Sequence, residues 1–197
     1  MTHRERMEQG LWHDANYDQE LVERRKRAEE LCFSFNQTAP GDVIEKKRIL
    51  GCLLPNKGEN VTILAPFYTD YGDRCWIGGD TFLNHNAYLM DGGGIHIGAH
   101  CFIGPNCGMY TANHPLHSDQ RNQGFEQAKP IVLEDNVWLG GNVTILPGVT
   151  IGEGSVIGAG SVVTHDIPKG FVAVGNPCRV LRPITDRDRI PEEELQE

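Results

Sequence analysis

A six-residue rhythm limits what this chain can fold into. From Leu133 to Thr164 the sequence reads LEDNVWLGGNVTILPGVTIGEGSVIGAGSVVT. Stepping by six from Leu133 puts Leu139, Ile145, Ile151, Ile157 and Val163 in one column. A second column, four residues on, holds Val137, Val143, Val149, Ser155 and Ser161. Gly140, Gly152 and Gly158 each follow a first-column residue. A period of six suits neither an amphipathic helix, which repeats at about 3.6, nor an alternating strand. It suits the hexapeptide repeat of a parallel β-helix, whose coils bury their apolar edges only by stacking.

The rhythm starts faintly at Val61–Ile63 and Phe67, and strengthens through Ile77, Leu83 and Leu89. Asp91-Gly92-Gly93-Gly94 then shifts its register before Ile97, Ile103 and Met109 resume it. Between Tyr110 and Pro130 the chain is polar and aperiodic, a long insertion of the kind that carries function or is disordered. Residues 61–178 are therefore read as the β-helix, with an inserted loop at 110–130.

Residues 1–60 differ. Asp18 is placed to cap a helix with Leu21, Ala28, Leu31 and Phe35 on one face, and Asp42 to cap a second. Two or three helices are expected against the start of the prism. Phe171–Gly175 reads as a closing strand. Residues 179–197 form a short charged extension, with a short helix near Thr185 and a frayed end.

Composition narrows the function classes. The net charge of −9 argues against a general nucleic-acid binder, and no stretch approaches the roughly 18 apolar residues of a membrane span. MTHRERMEQG lacks the apolar run of a signal peptide, and the six cysteines form no CxxC pair. The expectation is a reducing, cytoplasmic-type compartment, with Cys101 and Cys107 as small wall residues.

Several pieces in order carry a resemblance: Phe35-Asn36, Asn84-x-Asn86 before Asp91, Thr111-Ala-Asn-His-Pro, Asn136-Val-Trp-Leu-Gly, Pro147-Gly-Val-Thr-Ile-Gly, Asp166-Ile-Pro and Gly175-Asn-Pro-Cys-Arg-Val. Together they resemble the hexapeptide-repeat sugar O-acetyltransferases, the group of maltose, galactoside and nodulation-factor acetyltransferases. The resemblance implies a mainly β fold with a left-handed parallel β-helix. It also implies a homotrimer with active sites between subunits, acetyl-CoA as co-substrate, a small sugar or glycoside as acceptor, and no metal.

Acetyl transfer from a thioester to a hydroxyl needs a base, an oxyanion donor and a surface for the donor molecule. His114, in the long loop before Pro115, matches the family's catalytic histidine and has the chemistry of a base at neutral pH. Glu126 is expected to bond the far ring nitrogen and fix its tautomer. Asn84 is expected to donate to the acceptor or the oxyanion, while Asn86 is open to an alternative role in a ladder along the prism corner. Asp14, Arg25 (or Arg24) and Asp91 resemble sugar ligands, and Phe82, Phe102 and Phe125 could line the pocket. Gly92 stands where the galactoside branch prefers an acid.

For the donor, the resemblance points to Trp138, Gly141 and Ala159 along the pantetheine. Thr164 and His165 lie near the phosphates, with His165 in place of the galactoside branch's lysine. Arg179 and Arg182 would hold the phosphates through their guanidinium forks. Three other readings stand beside this one. The first is a scaffold without chemistry. The second is a zinc β-helix resembling γ-type carbonic anhydrases, using His96, His100, His114 and His117. The third is an O-acetyltransferase of drug-like hydroxyls, whose members usually lack such a helical N-terminal segment.

Overall fold

The computed structural model describes residues 1–195; Gln196 and Glu197, and with them the expected frayed end, lie outside the described residues. Three parallel sheets form the faces of a prism. The first stacks Cys75–Ile77, Ile95–Ile97, Ile131–Leu133 and Thr150–Ile151. The second has seven strands, from Thr62–Ile63 through Phe82–Leu83, Phe102–Ile103, Trp138–Leu139 and Val156–Ile157 to Phe171–Val174 and Arg179–Pro183. The third stacks Phe67–Thr69, Ala87–Met90, Gly108–Tyr110, Thr144–Ile145 and Val162–Val163. The chain visits these faces in rotation, which makes a parallel β-helix. Among the described residues, only Arg179–Pro183 runs antiparallel to its neighbour within the prism.

The two sequence columns point inward. Leu139, Ile145, Ile151, Ile157, Val163, Val137 and Val143 are each completely buried. Ser155 and Ser161 are buried as well. Their hydroxyls donate to the Pro168 and Gly158 carbonyls and accept from the Phe171 and Gly175 amides, so neither hydroxyl is left unpaired. The coils approach closely at the repeat glycines. A Cβ on Gly152 would sit 2.4 Å from the Lys169 nitrogen. Left-handed corner residues turn the chain from face to face. Asp80, His100 and Asn136 occupy one corner, and Asn86, Asn106 and Asn142 the next. Asn and Asp tolerate this region through local hydrogen bonding. Asn86 Nδ2 donates to Asn106 Oδ1 at 2.9 Å, which makes the corner ladder. Cys101 and Cys107 are buried wall residues.

Three helices precede the prism: α1 (His3–Glu8), α2 (Gln19–Gln37) and α3 (Val43–Leu53). Asp18 and Asp42 accept from the Leu21 and Glu45 amides, capping α2 and α3. Helix α2 buries Leu21, Ala28, Cys32 and Phe35, and it packs on the Phe67–Thr69 strand. The short helix α1 carries a Thr2–Glu5 capping box that the apolar periodicity did not reveal.

Asp91 departs from the sequence expectation. It is fully buried, and its carboxylate faces inward. Oδ1 accepts from Thr69 Oγ1 and the Tyr71 amide, and Oδ2 from the Gly72 and Arg74 amides, at 2.8 to 3.2 Å. The Tyr71–Arg74 turn has buried N–H groups that need an acceptor, and Asp91 supplies it, leaving no oxygen for a sugar hydroxyl. Asp91→Ala should lower the unfolding free energy by about 3 kcal/mol or more, because several buried donors lose their acceptor together. Denaturant unfolding checks this, and an unchanged midpoint would contradict it.

Candidate active site

The insertion at 110–130 is a built structure. Ala112–Asn113 pairs antiparallel with Phe125–Ala128, and a short helix, Ser118–Arg121, lies between them. The other edge of Phe125–Ala128 pairs with His13–Asp14 from the N-terminal segment, His13 opposite Glu126 and Asp14 opposite Phe125. Gly124 makes this approach possible. Its φ is +86°, and a Cβ there would meet the Tyr17 ring at 2.9 Å. Asp14 Oδ1 accepts from the Asn16 and Tyr17 amides, closing the turn that leads into α2.

His114 hangs from this small sheet. Its Nδ1 lies 3.1 Å from the Phe125 carbonyl. A carbonyl only accepts, so Nδ1 carries the hydrogen, and Nε2 keeps its lone pair free to take a proton. The side chain is exposed and opens on a cleft of about 600 Å³ lined by Arg6, Trp12, Leu116, His117, Gln123 and Phe125. The orienting acceptor is thus the Phe125 carbonyl. Glu126 was expected in that role, but among the described residues no His114–Glu126 pair lies within 4.0 Å. Phe125 lines the His114 cleft, and the side chains of adjacent strand residues point to opposite faces, so Glu126 turns away from that cleft. Its side chain is 18% exposed. Burial pushes its pKa up, the charge of His114 draws it down, Asp70 pushes it up again, and Arg25 draws it down.

Arg25 belongs to the same corner. Its guanidinium donates to the Tyr71 hydroxyl at 2.8 Å and to the Ala15 carbonyl. Arg24 turns away to Asp73, at 2.7 Å. Beside Arg25 a second cavity of about 470 Å³ is lined by Glu29, Asn36, Tyr68, Asp70 and Tyr88. Asp70 accepts from the Tyr88 hydroxyl, and burial pushes its pKa up. Asp70, Arg6, Trp12 and His13 escaped the sequence reading. The apolar columns that reveal the prism say nothing about which charged groups its corners gather.

The remaining candidates lie elsewhere. Phe82, Phe102 and Trp138 are directly stacked rungs on the second face. Phe102 is 58% exposed and Trp138 55%, a large apolar stripe. Asn84, Gly141 and Ala159 follow along the corner between the second and third faces. Asn84 Oδ1 accepts from the His85 amide. His114, Glu126, Asp14, Arg25, Thr164 and His165 occupy the next corner, between the third face and the first. One protomer therefore separates the expected site into two groups on two corners. At the C-terminal end, Arg179 donates to the Cys178 carbonyl, and Arg182 forms a two-pronged pair with Asp188 at 2.7 and 2.8 Å. That pair holds the Asp188 carboxyl at about 2. The expected phosphate grip of Arg182 thus already has an internal occupant.

The four histidines of the zinc reading do not converge. His96 stacks on Trp76 with ring centroids 4.5 Å apart, and His100 is a corner residue with φ 56°. Among the described residues no three His, Cys, Asp or Glu side chains gather as a metal site.

Comparison with known proteins agrees with this architecture. Residues 130–165 match the bacterial transferase hexapeptide (six repeats), residues 6–58 the maltose acetyltransferase hexapeptide capping motif, and residues 94–111 the hexapeptide repeat of succinyl-transferase. A Staphylococcus aureus (strain MRSA252) protein named as an acetyltransferase is 52% identical over 197 residues, covering 100% of this chain and 98% of that protein. The crystal structure of a maltose O-acetyltransferase from Clostridium difficile 630 aligns with TM-score 0.91 and 41% identity, over 94% of this chain and 99% of that one. A hexapeptide-repeat-containing acetyltransferase from Vibrio cholerae O1 biovar eltor, complexed with acetyl coenzyme A, aligns with TM-score 0.86 and 38% identity, over 94% and 100%. With repeats, capping segment and full-length similarity all in agreement, the chain belongs to the hexapeptide-repeat acetyltransferase family.

Proposed function

We propose that this protein transfers the acetyl group of acetyl-CoA to a hydroxyl of a small sugar, of the glucose, maltose or related glycoside type, with His114 as general base. The observation that carries the reading is the state of His114. Its Nδ1 is pinned to the Phe125 carbonyl, and its Nε2 is free in an open cleft. A neutral imidazole so oriented accepts the hydroxyl proton as the alkoxide attacks the thioester carbonyl, and CoA leaves as the thiol. The match of residues 6–58 to a maltose acetyltransferase capping motif supports a sugar acceptor over a drug-like one. So does the packing of that segment on the His114 loop.

The division of the site over two corners supports a homotrimer. In a three-fold ring the His114 corner of one copy meets the Asn84 corner of the next. The exposed Phe102 and Trp138 stripe is then covered, and the groove between copies takes the donor. Asn84 would steady the oxyanion, Gly141 and Ala159 would let pantetheine approach the backbone, and Arg179 would meet a phosphate. Asp14 retains Oδ2 for an acceptor hydroxyl, whereas Oδ1 is committed to its turn. The proposed setting is cytoplasmic.

His114→Ala should lower kcat by about 10² to 10⁴ with the fold intact, the usual range for a general base. Steady-state release of free thiol from acetyl-CoA over a panel of sugars measures it. Arg179→Ala should raise KM for acetyl-CoA by about tenfold, the size of one charge-assisted hydrogen bond, and leave KM for the sugar in place. A change confined to sugar affinity would misplace the donor groove.

A further inference from the structure

His13 lies beside the cleft, and the proposed reaction leaves its chemistry unused. It is fully buried in the strand that joins the N-terminal segment to the His114 hairpin. Its Nδ1 lies 3.0 Å from the Leu11 carbonyl. That carbonyl needs a donor, so Nδ1 is protonated in every state of the ring. Only Nε2 can gain or lose a proton. Nε2 is buried without a hydrogen-bond partner, and it faces Glu126 Oε1 at 3.8 Å.

A buried ring nitrogen without a partner, opposite a mostly buried carboxylate, favours a proton on one of the two. With neutral His13 and ionised Glu126, a lone pair would meet a carboxylate oxygen. One proton resolves this, either on Oε1 or on Nε2. Burial disfavours the charged form of both groups, lifting the carboxyl and lowering the imidazole. The surroundings are mixed. His3 and Arg6 from α1, and Arg25 from α2, bear on His13. His114, Asp70 and Arg25 bear on Glu126. Glu126 adjoins Phe125, whose carbonyl orients His114.

We infer that His13 and Glu126 carry one proton as a pair, on Nε2 or on Oε1, and that His13 is a positioning residue acting through Glu126 and its strand on the His114 base. The functional half rests on the acetyl-transfer reading above; the shared proton does not. When His114 becomes cationic, a proton resting on Nε2 leaves Glu126 as the nearby counter-charge.

The test has two arms on the full chain. Nitrogen NMR of the His13 ring across the pH range reports its titration without requiring catalysis. Glu126→Gln, which preserves shape, should move the His13 midpoint down by about one pH unit or more, as expected when an opposite charge within a few ångströms is removed. An unchanged midpoint overturns the shared proton. In the second arm, His13→Phe should lower kcat about tenfold and displace the acid limb of its pH profile, with KM for acetyl-CoA unchanged. His13→Gln, which again offers Glu126 a donor, should recover most of the loss. A His13→Phe profile that superimposes on the wild type overturns the positioning role. If the wild type acetylates no sugar, the acetyl-transfer reading fails, while the NMR arm still decides the shared proton.

Discussion

The structure depends on the close stacking of short β coils. Each coil alone has an apolar edge and open backbone groups. Both are satisfied only when the next coil lies at sheet spacing with its side chains in the same columns. This explains the strictness of the repeat. Ile145 and Ile151 must land inside, and on the first and second faces a glycine behind the column residue lets the backbones approach, as at Gly152 and Gly140. It also explains why polar wall residues are tolerated at Ser155 and Ser161, where the next coil provides partners.

A rigid prism fixes what projects from it. The chain leaves the repeat at the corner after Tyr110 and returns at Ile131, so the intervening hairpin is clamped at both ends by the wall. The N-terminal strand then adds to its outer edge. A histidine on such a hairpin has little freedom, and its tautomer is set by a backbone carbonyl. Asp91 performs the equivalent task inside the same corner, tying down the Tyr71–Arg74 turn on which Arg25 rests. Stability and chemistry are therefore coupled here. The residues that pack the corner also aim the groups that would bind and react.

Much of the fold was legible in the sequence because its signal is periodic. The inward columns, the asparagine corner ladder and the Asp18 and Asp42 caps all follow from spacing and local hydrogen bonding. The site was legible only in part. His114 stood out because it interrupts the rhythm beside a proline. Asp91 misled because an acidic residue at a corner looks the same in sequence whether it faces a ligand or an unsatisfied turn. Glu126 and His13 meet through strand pairing between residues more than a hundred positions apart, and no local pattern encodes that register. Arg182 was expected to hold phosphate, but its partner Asp188 follows it closely in the tail.

The central claim is that each reaction site is assembled from the His114 corner of one copy and the Asn84 corner of another. Complementation tests it most directly. Two inactive variants, His114→Ala and Asn84→Ala, would be unfolded together in equal amounts, refolded and assayed for acetyl transfer to a sugar. Sites shared between neighbours in a three-fold ring predict recovery of about a quarter of wild-type activity, since random mixing leaves that share of sites with both residues intact. Activity no higher than that of either variant alone would mean that each chain builds its own site, and would contradict the account.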